Sequence, residues 1–373
     1  MHNLNGQFIV PNEEEQFIKV LNFPGASILP MVIKAAIELD LFEIMAKAHH
    51  PSAQLSAREI ASHLPTKNLE ASLILDRMLR FLASNSILTC SLIRDEDGQA
   101  TRLYGMGPIC KYFVRNQHGV SFGPCIQFLQ DKIVLESWYQ LKDVIIEGGI
   151  PFDKGHGMNA FEYPGKDNRF NEVFKKAMSS HSALVMEKIL ETYKGFEGIQ
   201  EIVDVGGGLG GFEGIQEIVD VGGGLGVTLR SIVSKYPHIR GITFDLPHVI
   251  KDAPPCSGVE HVGGDMFESV PKGEAIFMKC LSTIRNVLHD WCDDHCLKIL
   301  KNCWNALPNS GKVIVVELII PEYAETDLRS QNAIIVDMIM LNINPGGKER
   351  TEKEFETLAR GAGFTALKLI CRK

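Results

Sequence analysis

The apolar residues in the first third of the chain recur with a helical period. Ser56 stands three residues before Glu59, the reciprocal spacing of a capping box, and predicts a helix start. A second helix is expected over 69–83, where Leu75, Met78, Leu79 and Leu82 fall at i, i+3, i+4 and i+7. Segments 87–90 and 102–104 then flank an Asp97-Gly98 turn and read as a hairpin. Two helices followed by a hairpin make a winged helix. The helical pattern resumes over 126–192, with breaks expected at Gly148-Gly149-Ile150-Pro151 and at Tyr163-Pro164-Gly165.

Beyond that point the period changes. Short β-branched segments at 218–221, 241–244, 259–262, 275–278, 313–316 and 366–370 alternate with helical stretches. This alternation predicts an α/β fold with a mostly parallel sheet and helices on both faces. Ligands of such sheets sit beyond the carboxyl ends of the strands. The expected organisation is therefore an N-terminal helical winged-helix domain over 1–120 and an α/β domain over 121–373.

One irregularity interrupts the pattern: residues 195–210 recur identically as 211–226. Two copies of a 16-residue unit are too few and too short for a solenoid and point to a duplication. Each copy carries the same candidate ligand loop. In the second, Ile218-Val219-Asp220-Val221 runs into Gly222-Gly223-Gly224-Leu225-Gly226, a strand meeting a turn whose backbone a ligand can approach closely. A dinucleotide fingerprint would need a third glycine at position 227, where Val227 stands, which argues against a nicotinamide enzyme. The second copy alone is followed by an amphipathic run, Leu229, Ile232, Val233 and Tyr236. Gly222–Gly226 is thus expected to bind, and Gly206–Gly210 to be an extruded loop. Asp245 closes the next strand, placed to hold ribose hydroxyls, and Gly263-Gly264-Asp265-Met266-Phe267 closes the one after.

Composition narrows the function. With 38 basic against 46 acidic residues the net charge is −8, which opposes nucleic acid and anionic membranes. The winged helix adds no exception, since its second helix balances Glu70 and Asp76 against Arg77 and Arg80. It is read as a packing or dimerisation module. Nine cysteines without a framework, no Asn-x-Ser/Thr sequon, and Glu13-Glu14-Glu15 near the start favour the cytosol. No uninterrupted apolar run reaches 18 residues, so no membrane span is expected.

The motifs VDVGGGLG (219–226), FDLPHVI (244–250), GGDMF (263–267), HDWCDDHC (289–296) and NPGGKERTEKEFE (344–356), with GGIPF (148–152) and NAFEYPG (159–165) upstream, resemble a known family. It is the plant small-molecule O-methyltransferases typified by caffeic acid O-methyltransferase, and the resemblance spans nearly the whole chain. It implies a Rossmann-like class I methyltransferase sheet, a homodimer formed largely through the N-terminal module, and no metal requirement. It implies S-adenosylmethionine held by Gly222, Asp245, Asp265, Met266 and Lys279. A small phenolic substrate, a phenylpropanoid such as caffeic acid, would lie among Ala160, Phe170, Phe174, Met178, His181, Ile339, Met340 and Asn344.

The chemistry asks for a base. A phenol with pKa about 10 is mostly protonated at neutrality, a deficit of roughly 4 kcal/mol. His289 matches the family's catalytic base, and Glu317 and Glu349 match the acids beside it, which would fix the imidazole's tautomer and stabilise its cation. His289, Cys292, His295 and Cys296 also crowd one helix start, but no second half-site accompanies them and zinc is not expected.

Four departures from the family pattern stand out. The duplication is one. Lys279 and His289 lie 10 positions apart where relatives place them about four apart, leaving extra residues near 281–286. The chain ends directly after the strand expected at 366–370, where relatives continue into a last antiparallel strand. Phe128-Leu129 precede Gln130-Asp131-Lys132 where the caffeate-methylating members usually show Met-Asn, so the acceptor is expected to differ in detail. The alternative reading is a catalytically impaired relative that retains dimerisation or ligand binding only.

Overall fold

The computed structural model describes residues 12–47, 53–193, 216–279, 287–344 and 346–369. The chain divides into two compact units, Met1–Lys132 and Ile133–Lys373.

The first unit contains α1 (Glu13–Asn22), α2 (Ile28–Glu38), α3 (Leu41–Ala46), β1 (Leu55–Ser56), α4 (Ala57–Ser62), α5 (Ala71–Ser84), β2 (Leu88–Arg94), β3 (Ala100–Met106) and α6 (Gly123–Leu129). The strands pair antiparallel in the order β1-β3-β2. The capping box forms as expected: Glu59 N–H donates to Ser56 Oγ at 3.2 Å, and Ser56 N–H to Glu59 Oε2 at 2.7 Å. Leu75, Leu79 and Leu82 of α5 close a core with Ile60 and Tyr104. The unit runs on to Lys132 rather than stopping at 120 because α6 packs on α2. A Cβ at Gly123 would stand 3.1 Å from Ile37, and Lys34 Nζ donates to the Gln130 carbonyl at 3.0 Å.

In the second unit, α7 (Lys132–Trp138), α8 (Leu141–Glu147), α9 (Pro151–His156) and α10 (Tyr163–Lys166) lead to the long α11 (Asn168–Thr192). Gly148 and Gly149, with φ of 78° and 97°, make the expected break before α9. Tyr163-Pro164-Gly165 instead forms α10, since a proline in the first turn has no amide that a helix would use.

The sheet follows as β4 (Glu217–Val221), α12 (Val227–Lys235), β5 (Arg240–Asp245), α13 (Pro247–Ile250), β6 (Val259–Gly263), β7 (Ala275–Lys279), α14 (Asp293–Ala306), β8 (Lys312–Val316), α15 (Leu328–Ile343) and α16 (Glu352–Ala362). Its order is β6-β5-β4-β7-β8 with every pairing parallel. The order reverses between β4 and β7, the switch point where α/β sheets bind ligands. Side-chain alternation sorts the two faces. Val219, Val221, Ile276 and Met278 pack on Ile299 and Cys303 of α14 and on Phe355 and Leu358 of α16. Ile218, Ala275 and Phe277 pack on Met186 and Leu190 of α11 and on Leu229 and Ile232 of α12.

Five of the six expected strands are present. The sixth is not: residues 366–369 form no strand. Residues 365–368 are exposed, so that segment neither buries an apolar face nor gains a ladder of hydrogen bonds, the two effects that hold a strand. The first glycine loop, 206–210, and the segment 281–286 lie outside the described residues.

Candidate active site

The loop Gly222–Gly226 joins β4 to α12 over the switch point. Gly222 and Gly223 both donate to the Phe244 carbonyl, at 2.9 and 3.3 Å, folding the loop across the end of β5. Gly222, Gly224 and Gly226 have φ of 71°, 57° and 76°, a region glycine enters without strain. A Cβ at Gly222 would lie 3.0 Å from Val287, whereas one at Gly224 would meet nothing within 4 Å among the described residues. That face of the backbone is open to a ligand. Asp245 accepts from Gly224 N–H at 2.9 Å and from Leu246 N–H at 2.7 Å. Asp265 accepts from Phe267 N–H at 2.8 Å, and the Met266 carbonyl from the Asn302 amide at 2.8 Å. Lys279, buried at the end of β7, donates to the Ser182 carbonyl and to Thr228 Oγ1, each at 3.3 Å. An open glycine backbone with carboxylates at the two neighbouring strand ends fits a ligand that bears hydroxyl groups.

His289 follows β7 and is 2% exposed. Its Nδ1 lies 2.5 Å from Glu349 Oε1 and 3.9 Å from Glu317 Oε2, and its Nε2 lies 3.6 Å from Asp290 Oδ1. Burial by itself would depress the imidazole. The Glu349 hydrogen bond and the charges of Glu317, Asp290 and Glu349 outweigh it and pull the group up to about 9. Glu317 follows β8, and Glu349 sits in the loop after α15 with its N–H donated to Asp337 Oδ1 at 2.8 Å. Arg350, fully buried, donates to the Leu288 and Trp291 carbonyls at 2.8 and 2.7 Å and to Asp293, so it clasps the histidine loop from behind.

Asn344 joins this group, its amide donating to Asp290 Oδ1 at 2.5 Å while its own Oδ1 is buried without a partner among the described residues. On α11, Phe170, Phe174, Met178 and His181 fall at i, i+4, i+8 and i+11, one helical face. Ala160, Phe170, Phe174, Ile339 and Met340 are buried, and Met178 and His181 half-buried. Phe170 meets the edge of Tyr163 with ring centres 5.5 Å apart. Burial, with the charge of Lys279, drives the His181 imidazole down to about 4.

The histidines and cysteines that crowd the start of α14 turn to different partners. His289 turns to Glu349, Cys296 donates to the Leu288 carbonyl at 3.1 Å, and Cys292 lies 3.0 Å from His295. His289, Glu317 and Glu349 do bring three ligand atoms within 4.8 Å of one another, close enough for a cation. Sequence reasoning missed Asp290, Asp337, Arg350 and Asp220. Only Asp220 carried a separate signal, an acid inside a β-branched strand.

The O-methyltransferase domain model matches residues 138–213 and 211–365, two stretches that meet inside the repeat, and the O-methyltransferase dimerisation domain model matches 21–116. This chain belongs to the O-methyltransferase family. Its fold class and its S-adenosylmethionine cofactor are those the resemblance implied. Caffeic acid 3-O-methyltransferase of Eucalyptus gunnii is 56% identical over 96% of this chain and 92% of its own length. Caffeic acid 3-O-methyltransferase 1 of Populus tremuloides is 57% identical over the same shares. Among solved structures, human N-acetylserotonin methyltransferase in complex with SAM aligns with a TM-score of 0.72 at 18% identity, covering 95% of this chain and 94% of that one. It shares the fold. No single described helix is long and apolar enough to cross a membrane.

Proposed function

We propose that this O-methyltransferase methylates a phenolic hydroxyl of a phenylpropanoid such as caffeic acid, with His289 as the general base, working as a homodimer in the cytosol. The observation that carries the reading is the buried His289 held between Glu349 and Glu317 beside the glycine loop's strand. Glu349 accepts a hydrogen bond from Nδ1–H and so leaves Nε2 as the basic nitrogen. Nε2 removes the phenolic proton, and the resulting imidazolium is stabilised by the two glutamates. S-adenosylmethionine supplies an electrophilic methyl on a sulfonium, so the acceptor oxygen needs only to lose its proton. Gly222–Gly226 and the acids Asp245 and Asp265 hold the donor, with Met266 and Lys279 at the neighbouring strand ends. Asn344 Oδ1, buried and unpartnered, accepts a hydrogen bond from the acceptor's second hydroxyl. Phe170, Phe174, Met178, His181, Ala160, Ile339 and Met340 flank the ring.

The test is incubation of the full chain with S-adenosylmethionine and caffeic acid, with the methylated product read by mass spectrometry. His289→Ala is expected to lower the rate by about 10²- to 10⁴-fold while S-adenosylhomocysteine still binds. Unchanged turnover in that variant would remove His289 from the chemistry, and no turnover in the unaltered chain would favour the impaired relative. A chelator is expected to leave the rate unchanged, because Nδ1 is committed to Glu349.

A further inference from the structure

Asp220 lies in β4 just before the glycine loop and is 2% exposed. Its strand neighbours Ile218, Val219 and Val221 are core residues, and an acid is rare in such company unless paired. Among the described residues its Oδ2 has no hydrogen-bond partner, and a Cβ at Gly223 would come within 2.8 Å of that oxygen. The carboxyl group therefore sits directly against the loop backbone.

Strand register defines what faces it. Asp220 pairs with Thr243 of β5 and Phe277 of β7, so Asp245 and Lys279, two positions further along, lie on the same face. Lys279 in turn reaches Thr228 at the start of α12 and Ser182 of α11. His181 of α11 is neutral at pH 7, and His261 of β6 stands beyond Thr243, its Nε2 3.1 Å from the Pro254 carbonyl. Among the described residues, the charged groups acting on Asp220 are Lys279 on one side and Asp245 on the other. Burial pushes the Asp220 carboxyl up, Lys279 pulls it back and Asp245 pushes it further, leaving it at about 7.

We propose that Asp220 is the counter-charge by which the protein distinguishes the cationic methyl donor from its neutral product: donor binding expels the carboxyl proton, and product binding leaves it in place. The inference rests on the S-adenosylmethionine reading above. The donor's sulfonium carries one positive charge that the product's thioether lacks, and the two molecules otherwise differ by one methyl. A cation brought to the loop favours the ionised carboxylate beneath it. Linkage then requires the donor to bind more tightly as pH rises, while the product gains less. Once the methyl has left, the positive charge is gone, Asp220 takes a proton back from solvent, and the product lacks that share of the donor's binding.

Isothermal titration of the full chain at pH 7 in phosphate and in Tris, whose ionisation enthalpies differ, counts the protons released by each ligand. S-adenosylmethionine is expected to release a larger fraction of a proton than S-adenosylhomocysteine. The ratio of their affinities should rise about twofold to fivefold between pH 6 and pH 8, the change expected when a carboxyl near 7 shifts down by half a unit to one unit. Asp220→Asn, or Asp220→Ser if the first does not fold, should remove both differences and retain product binding. Equal proton release by the two ligands in the unaltered chain overturns the proposal. So does a difference that survives in the variants, which would assign the proton to another group such as His289. If neither ligand binds, the cofactor reading falls and this inference with it.

Discussion

At His289 burial and hydrogen bonding pull in opposite directions, and the two glutamates win. The group is protonated at neutral pH in the free protein and becomes a base only as pH approaches about 9. The value of kcat/KM is therefore expected to rise about tenfold per unit below that point and to level above it. Glu349→Gln removes the largest upward influence, so the inflection should move to lower pH. A pH-rate profile checks this, and an unmoved inflection would show that Glu349 does not set the base. The same shift acts on stability. The folded-state pKa of about 9 stands above the ordinary 6.5, so the cation's contribution is complete below about 6.5 and is lost as pH rises through about 9. Urea midpoints of the unaltered chain should fall across that window, and those of Glu349→Gln should fall less.

At the scale of elements, the unit formed by β4, its loop and α12 makes separable demands on two glycines. Gly222→Ala meets both a positive φ and Val287 at 3.0 Å, whereas Gly224→Ala meets the positive φ alone. The first is expected to lower the melting temperature more than the second, whose cost is about 1–2 kcal/mol. Both should weaken S-adenosylhomocysteine binding, and a melt beside a titration separates strain from obstruction. Thr351→Ala removes the capping box that opens α16, where Glu354 N–H donates to Thr351 Oγ1 at 3.3 Å, and should cost about 1 kcal/mol in a denaturant melt.

These elements also mark what a sequence can disclose. The period of Leu75, Leu79 and Leu82, the capping box at Ser56, and five β-branched runs were legible because each is fixed by local spacing. The segment 366–369 misled because its composition suits a strand, whereas strand formation depends on a neighbour that composition does not reveal. Tyr163-Pro164-Gly165 misled for a similar reason, since proline interrupts a helix but also starts one. In the candidate site, the meeting of His289, Glu317 and Glu349 was visible through the family motifs. Asp290, Asp337 and Arg350 were not, because their partners, the Asn344 side chain for Asp290 and loop backbone for the other two, come from distant parts of the chain.

For the whole molecule, the duplication is the feature most open to test. The described sheet uses the second copy, with Glu217–Val221 as β4 and Val227–Lys235 as α12. Deleting residues 195–210 is expected to leave S-adenosylhomocysteine affinity equal or higher and a cooperative melt intact. A lost melt would mean that the first copy contributes to the fold. The clasp made by Arg350 has a consequence of another kind. Ile320 N–H donates to the Arg350 carbonyl at 3.1 Å, Lys348 N–H to the His289 carbonyl at 2.9 Å, and the guanidinium to Leu288 and Trp291. Three loops from separate parts of the chain are thereby fastened to one another, and opening any of them frees the rest. In hydrogen exchange, the amides of Ile320, Lys348 and Glu349 should lose protection at one common rate, and Arg350→Lys should raise that rate for all three together.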